Sequence, residues 1–159
     1  RISRLKQEII SPWDGLSMLM PISWPSDINK EEKTLVSRVT GYEEAMLFLN
    51  CDDIKIPSET KITSDYMQHI ASSIGADESI KDISLLSTGK DTYLISCNKA
   101  DIDQEAGVTL NNYFWHIFAL KEDVLKRLHF TYVFPNINDM FLSSLTNVLN
   151  ENIKNLKLD

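Results

Sequence analysis

Apolar positions recur along this chain with a period of two or of about 3.6, and the period marks where strands and helices are expected. From Leu16 to Ile22 the side chains Leu16, Met18, Met20 and Ile22 fall on alternate positions, which predicts a strand with one buried face. Pro21 and Pro25 bracket its end around Trp24, because proline brings no amide hydrogen to a ladder. Ser26 to Lys33 is polar and reads as a loop, and Thr34 to Thr40 resumes a β-branched pattern before Gly41-Tyr42 turns the chain. Glu44 to Cys51 is apolar on both sides, with Ala45, Leu47 and Leu49 opposite Met46 and Phe48, so both faces of that strand are expected to be covered. Ile62, Tyr66, Ile70 and Ile74 then recur every fourth residue, the stripe of a helix that Gly75 closes as its C′ residue.

Asp82 to Thr88 and Asp91 to Asn98 read as strands joined at Gly89-Lys90, where the leading glycine suits a type II′ hairpin turn. Lys99 to Gly107 is an acidic loop in this reading. Val108 to Leu120 is a long aromatic-rich strand, expected near the centre of the sheet, and in Leu125 to Phe134 the residues Leu128, Phe130, Tyr132 and Phe134 alternate with Arg127, His129, Thr131 and Val133. Pro135 ends that strand, Asn136 and Asp139 resemble a helix N-terminal cap, and Phe141, Leu145, Val148, Leu149, Ile153 and Leu156 form one stripe of a final helix. Residues 1–15, with Ile2, Leu5 and Ile9 at helical spacing, are expected as a helix or arm ahead of a core over 16–159. Strands, a helix, a meander and a closing helix define an α+β fold: one domain, with a twisted antiparallel sheet of about six to seven strands flanked by helices.

Charge narrows the classes of partner. Sixteen Lys and Arg against 23 Asp and Glu leave a net charge of −7 over 159 residues. That balance argues against nucleic acid and against an anionic membrane surface, which draw binding from a basic face, and is better matched to a basic protein. No apolar run approaches the roughly 20 residues of a membrane-spanning helix. A cytoplasmic location is expected, and because the chain begins at Arg1 rather than Met, a periplasmic or secreted one after signal removal is the alternative.

Motifs for chemistry are missing from the sequence. His69, His116 and His129 have none of the spacings that place two metal ligands on one face, and no metal or other cofactor is expected. His116 and His129 lie in consecutive strands and can meet across a hairpin, as a shared surface site or as an ordinary cross-strand pair. Asp101, Asp103 and Glu105 alternate as calcium ligands do, but Ala106 and Asn112 stand where a calcium loop needs glycine and a bidentate acid. No serine sits in a nucleophile elbow, no glycines cluster as a phosphate loop, and Cys51 and Cys97 lack a catalytic partner. Reduced thiols are expected, with a single bridge as the alternative. Trp13 and Trp24 flank the first strand as core residues or as exposed anchors. The residues singled out for binding a partner are Asp101, Asp103, Glu105, Asp52, Asp53, Glu122 and Asp123, which would form a negative rim around one face.

Met18 to Pro25, an apolar strand ending in a Trp-Pro corner, the helix at Tyr66 to Ile74 and the meander ending at Phe134-Pro135 resemble the PsbP-like fold. That resemblance covers most of the chain and implies a binding protein: a photosystem accessory subunit, a small secreted or lipid-anchored protein, or a secretion adaptor. In composition the chain also resembles the bacterial immunity proteins, which are small, acidic, rich in Asn, Lys and Ile, and free of catalytic motifs. This second resemblance implies a non-catalytic inhibitor of a cognate secreted toxin, with acidic side chains set against a basic toxin domain. A secretion adaptor or chaperone, or an extracytoplasmic ligand-binding protein, is the alternative.

Overall fold

The computed structural model of the chain describes residues 5–137 and 140–159. The architecture is α+β. A 7-stranded antiparallel sheet is built from β3 (Ser26–Asn29), β4 (Thr34–Val39), β5 (Tyr42–Lys55), β9 (Val124–Pro135), β8 (Val108–Lys121), β7 (Thr92–Asp103) and β6 (Lys81–Gly89), in that spatial order. A second, 3-stranded sheet is formed by β1 (Gln7–Trp13), β2 (Leu16–Pro21) and β10 (Lys157–Leu158), in the order β1-β2-β10. Helix α1 (Ser64–Gly75) and helix α2 (Met140–Lys154) complete the fold. Neither helix is long and apolar enough to cross a membrane.

The main core lies on one face of the large sheet. Ala45, Leu47 and Leu49 of β5 and Leu128, Phe130 and Tyr132 of β9 point into it, and Leu145 and Leu149 of α2 with Met18 and Met20 of β2 close it from the other side. Each fully buried Leu contributes roughly 1.5–3 kcal/mol by leaving water. Two polar bonds fix how α2 docks: the Tyr132 hydroxyl donates to the Leu142 carbonyl at 2.9 Å, and the Trp115 indole N–H donates to Asn150 Oδ1 at 3.0 Å. Trp13 and Trp24 are both buried in this core. The smaller core lies on the opposite face, where Met67 and Ala71 of α1 cover Ile95 of β7. Thr63 caps α1 by accepting from the Tyr66 amide at 3.1 Å, but Tyr66 itself, on the predicted stripe, is 54% exposed because the buried stripe runs one residue later through Met67 and Ala71.

Several expectations are corrected. The N-terminal helix or arm is instead β1, which pairs with β2 from Gln7↔Pro21 to Trp13↔Leu16. Pro12 is fully buried there, and the register shifts between Ile10 and Trp13, as a strand residue without an amide hydrogen requires. The polar loop at Ser26 to Lys33 contains β3, whose four residues are all exposed. Backbone pairing to β4 makes it a strand, and a short polar sequence is what a sheet edge favours. The acidic loop from Lys99 continues β7 as far as Asp103, paired with β8 from Lys99↔Asn112 to Asp103↔Val108. At the β6–β7 hairpin Gly89 pairs with Thr92, so the tip is Lys90-Asp91, with Asp91 at φ 51°, rather than Gly89-Lys90. Gly75 is the last helical residue of α1, and Ala76, in right-handed helical geometry, is the cap. The proposed cap at Asn136 and Asp139 falls partly on residues 138–139, outside the described residues.

Candidate functional site

Directly opposed residues in an antiparallel ladder share a face, so the registers trace rows across the large sheet. On the face away from α2, one row runs Val36, Phe48, Thr131, Phe114, Cys97 over five strands. On one side of it lies the row Arg38, Met46, Val133, Asn112, Lys99, and on the other the row Thr34, Asn50, His129, His116, Ile95. A further row, Asp52, Arg127, Phe118, Tyr93, closes the face toward the β8–β9 turn.

Helix α1 covers only one corner of this face, over Ile95, Phe118 and Tyr93. Val36, Met46, Phe48, Phe114 and Val133 belong to neither core, and they are half-buried by their neighbours within the sheet. The expectation that both sides of β5 are covered is therefore corrected: Ala45, Leu47 and Leu49 lie beneath α2 and β2, whereas among the described residues no layer covers Met46 and Phe48. The result is an open sheet surface with an apolar centre.

Beside that centre, His116 and His129 sit directly opposite each other, with Nδ1 atoms 2.5 Å apart and ring centroids 4.7 Å apart. One imidazole must donate and the other accept, so the bond requires that the two are not both protonated. Burial first, and then the neighbouring His129, push the His116 imidazole down to about 4. Burial, and then the Arg127 charge, lower His129 as well. Arg127 Nε and a terminal guanidinium nitrogen hold Asp52 through both carboxylate oxygens, at 2.8 and 2.5 Å, which keeps the Asp52 carboxyl below its ordinary range. Among the described residues no three His, Cys, Asp or Glu side chains gather as a metal ion would need.

The seven acids singled out from the sequence come together as two groups instead of one rim. Asp52, Asp53, Glu122 and Asp123 surround the β8–β9 turn among cations: Asp52 with Arg127, Asp53 with Lys33 at 3.2 Å and Lys126 at 3.7 Å, and Asp123 with Lys55 at 3.9 Å. Asp101, Asp103 and Glu105 stand at the β7–β8 tip. Asp101 is level with Leu110 and Asp52, through Arg127, with Phe118, eight residues further along β8, or about 27 Å at strand rise. At the tip, Asp103 Oδ1 accepts from the Glu105 and Ala106 amides at 3.1 and 3.2 Å and so shapes the turn, while Asp101 is exposed beside Lys99 and Glu105 is exposed. Asp52 and Asp101 share the open face and bound it at its two ends.

Phe48, Met46, Val36, Phe114 and Val133 were not among the residues singled out for binding. Their signal in the sequence is the double-sided apolar character of β5, which reads equally well as a strand covered on both faces. Cys51 and Cys97 are free. They stand on β5 and β7 with β9 and β8 between them, too far for a bridge. Burial raises both thiols.

No family model and no curated protein matches the chain by sequence. Its fold is similar to that of a crystal structure from Bacteroides thetaiotaomicron VPI-5482 at 1.50 Å resolution, with a TM-score of 0.59 and 12% identity. The match covers 98% of this chain and 49% of the other, so this chain spans about half the length of that protein. At such identity the similarity concerns the fold alone.

Proposed function

We propose that this chain is a non-catalytic protein-binding domain whose partner docks on the open face of the large sheet. The observation that carries the reading is the uncovered row Val36, Phe48, Thr131, Phe114. An apolar centre with charged ends at Asp52 and Asp101 has the anatomy of a protein interface, with a dry middle and a polar rim. The net charge of −7 favours a partner whose matching surface is apolar at its centre and basic around it. An immunity protein that neutralises a basic toxin domain is the member of this class we put first, acting in the cytoplasm, where the unbridged thiols of Cys51 and Cys97 would stay reduced. The apolar row also supports a secretion adaptor of the PsbP-like kind, which would bind with little dependence on charge.

Affinity capture from host lysate and culture fluid, run in parallel with the wild-type chain and a Phe48→Ser/Phe114→Ser variant, tests the reading. The expected result is a partner held by the wild type and lost by a variant that still melts cooperatively. Equal capture by both chains overturns the docking face. A partner released by salt argues for the toxin inhibitor, and one indifferent to salt for the adaptor.

A further inference from the structure

On the opposite side of the sheet a trough runs along one edge of α2. Its first compartment, of about 240 Å³, lies between Thr146, Asn147 and Asn150 of the helix and Ser96, Asn98 and Trp115 of the sheet, with Asp82 at its margin. Its second, of about 350 Å³, lies between Met140 and Ser143 of the helix and Asn111, Phe134 and Asn136. Tyr113 borders both compartments and divides them, its ring stacked on Trp115 at 6.4 Å and on Phe134 at 5.9 Å.

The chemistry of the trough is unusual for a chain with so many charges. Among the described residues no Lys or Arg lines either compartment, and Asp82 is the single carboxylate. The walls carry side-chain amides and hydroxyls instead. Two internal bonds set the first compartment in place: Asn98 Nδ2 donates to Asp82 at 2.9 Å, and Trp115 donates to Asn150 Oδ1. Among the described residues this leaves the Asn150 NH2, the Asn98 carbonyl oxygen, the Ser96 and Tyr113 hydroxyls and the Asn111 and Asn147 amides without a protein hydrogen-bond partner.

We infer that this trough is a binding site for an uncharged, hydroxyl-rich ligand, a short neutral oligosaccharide with one sugar ring on either side of Tyr113. Each sugar hydroxyl both donates and accepts, and a side-chain amide answers with one group of each kind. The faces of the Tyr113 ring are stacked on Trp115 and Phe134, so it meets the ligand with its edge and hydroxyl and divides the trough into two parts, each of a size for one ring. Both compartments lie near or below the lower end of the roughly 300–1,000 Å³ of drug-sized sites, a size for single rings. A phosphorylated or carboxylated ligand finds no cation among the described residues here, and an aliphatic one would leave the amides unpaired at a cost of about 1–3 kcal/mol each.

The test is titration of the 15N-labelled chain with glucose, galactose, mannose and N-acetylglucosamine, and with cellobiose, maltose and chitobiose, followed by amide spectra. The expected result is that one disaccharide shifts the side-chain NH2 signals of Asn98, Asn147 and Asn150 and binds about tenfold or more tightly than its monosaccharide. Asn147→Leu, on the exposed side of α2, and Asn98→Leu should each weaken that binding by about tenfold, with melting curves confirming the fold. Absence of shifts with every sugar up to tens of millimolar overturns the inference. So does saccharide binding that both variants retain, or occupation of the trough by an unglycosylated peptide instead.

Discussion

His116 of β8 and His129 of β9 face each other across the ladder, Nδ1 to Nδ1, at 2.5 Å. The folded chain keeps the His116 imidazole down to about 4 against an ordinary 6.5, so between these values the unfolded chain takes up a proton that the folded chain does not. Stability from this group is complete above about pH 6.5 and is lost as pH falls toward about 4. The loss has an upper bound of about 3 kcal/mol, at 1.36 kcal/mol per unit. His129, lowered by burial and by Arg127, adds in the same direction. Denaturant melts across that range should therefore show falling stability, and a His116→Phe variant should flatten the slope. An unchanged slope would mean that the pair does not govern it.

Tyr132 supports α2 through a buried bond. Its hydroxyl, held well above the ordinary range by burial, donates to the Leu142 carbonyl. Tyr132→Phe keeps the ring and removes a second bond to a carbonyl that, inside α2, still accepts from the Thr146 amide one turn on, so the loss should be about 0.5–1.5 kcal/mol. Equilibrium unfolding measures the loss, and hydrogen exchange should place the added opening in the first turns of α2. Full retention of stability would show that the bond contributes nothing.

At the β7–β8 tip Asp103 shapes the turn, whereas Asp101, which accepts from Asn112 and stands beside Lys99, and Glu105 are both exposed to an approaching partner. With the partner in hand, Asp101→Lys/Glu105→Lys should slow association at low salt by up to about tenfold and change dissociation little. Asp103 is left in place because its carboxylate holds the Glu105 and Ala106 amides. Stopped-flow association rates at two ionic strengths decide this, and rates equal to the wild type would remove the tip from the binding surface.

Cys51 and Cys97 should behave as two independent, slow thiols. Cys97 is buried, Cys51 half-buried, and burial raises both. Native labelling with a maleimide should be slow at both and slower at Cys97, and reductant should leave the melting temperature unchanged. A shift on reduction would contradict the positions of these strands.

The sequence by itself determined the elements whose side chains alternate or recur because one face is buried. In β2 the residues Leu16, Met18 and Met20, in β9 Leu128, Phe130, Tyr132 and Phe134, and in α2 Leu145, Leu149 and Ile153 carry the period of their structure, since burial imposes it. It also placed His116 and His129 within reach of each other, because the hairpin joining their strands is local. Only the tertiary structure decided the elements that exist through backbone pairing. β1, β3 and the end of β7 are strands because a neighbour supplies hydrogen bonds, and such bonds impose no apolar pattern on exposed side chains. The separation of Asp52 from Asp101 along β8, and the trough beside α2, depend likewise on register and helix docking. Whether Met46 and Phe48 were covered was decided by the placement of α1, which packs on the β6–β7 side of the sheet and stops short of β5. Hydrophobicity records that a side chain avoids water, and only the packing of distant elements settles which neighbour shields it.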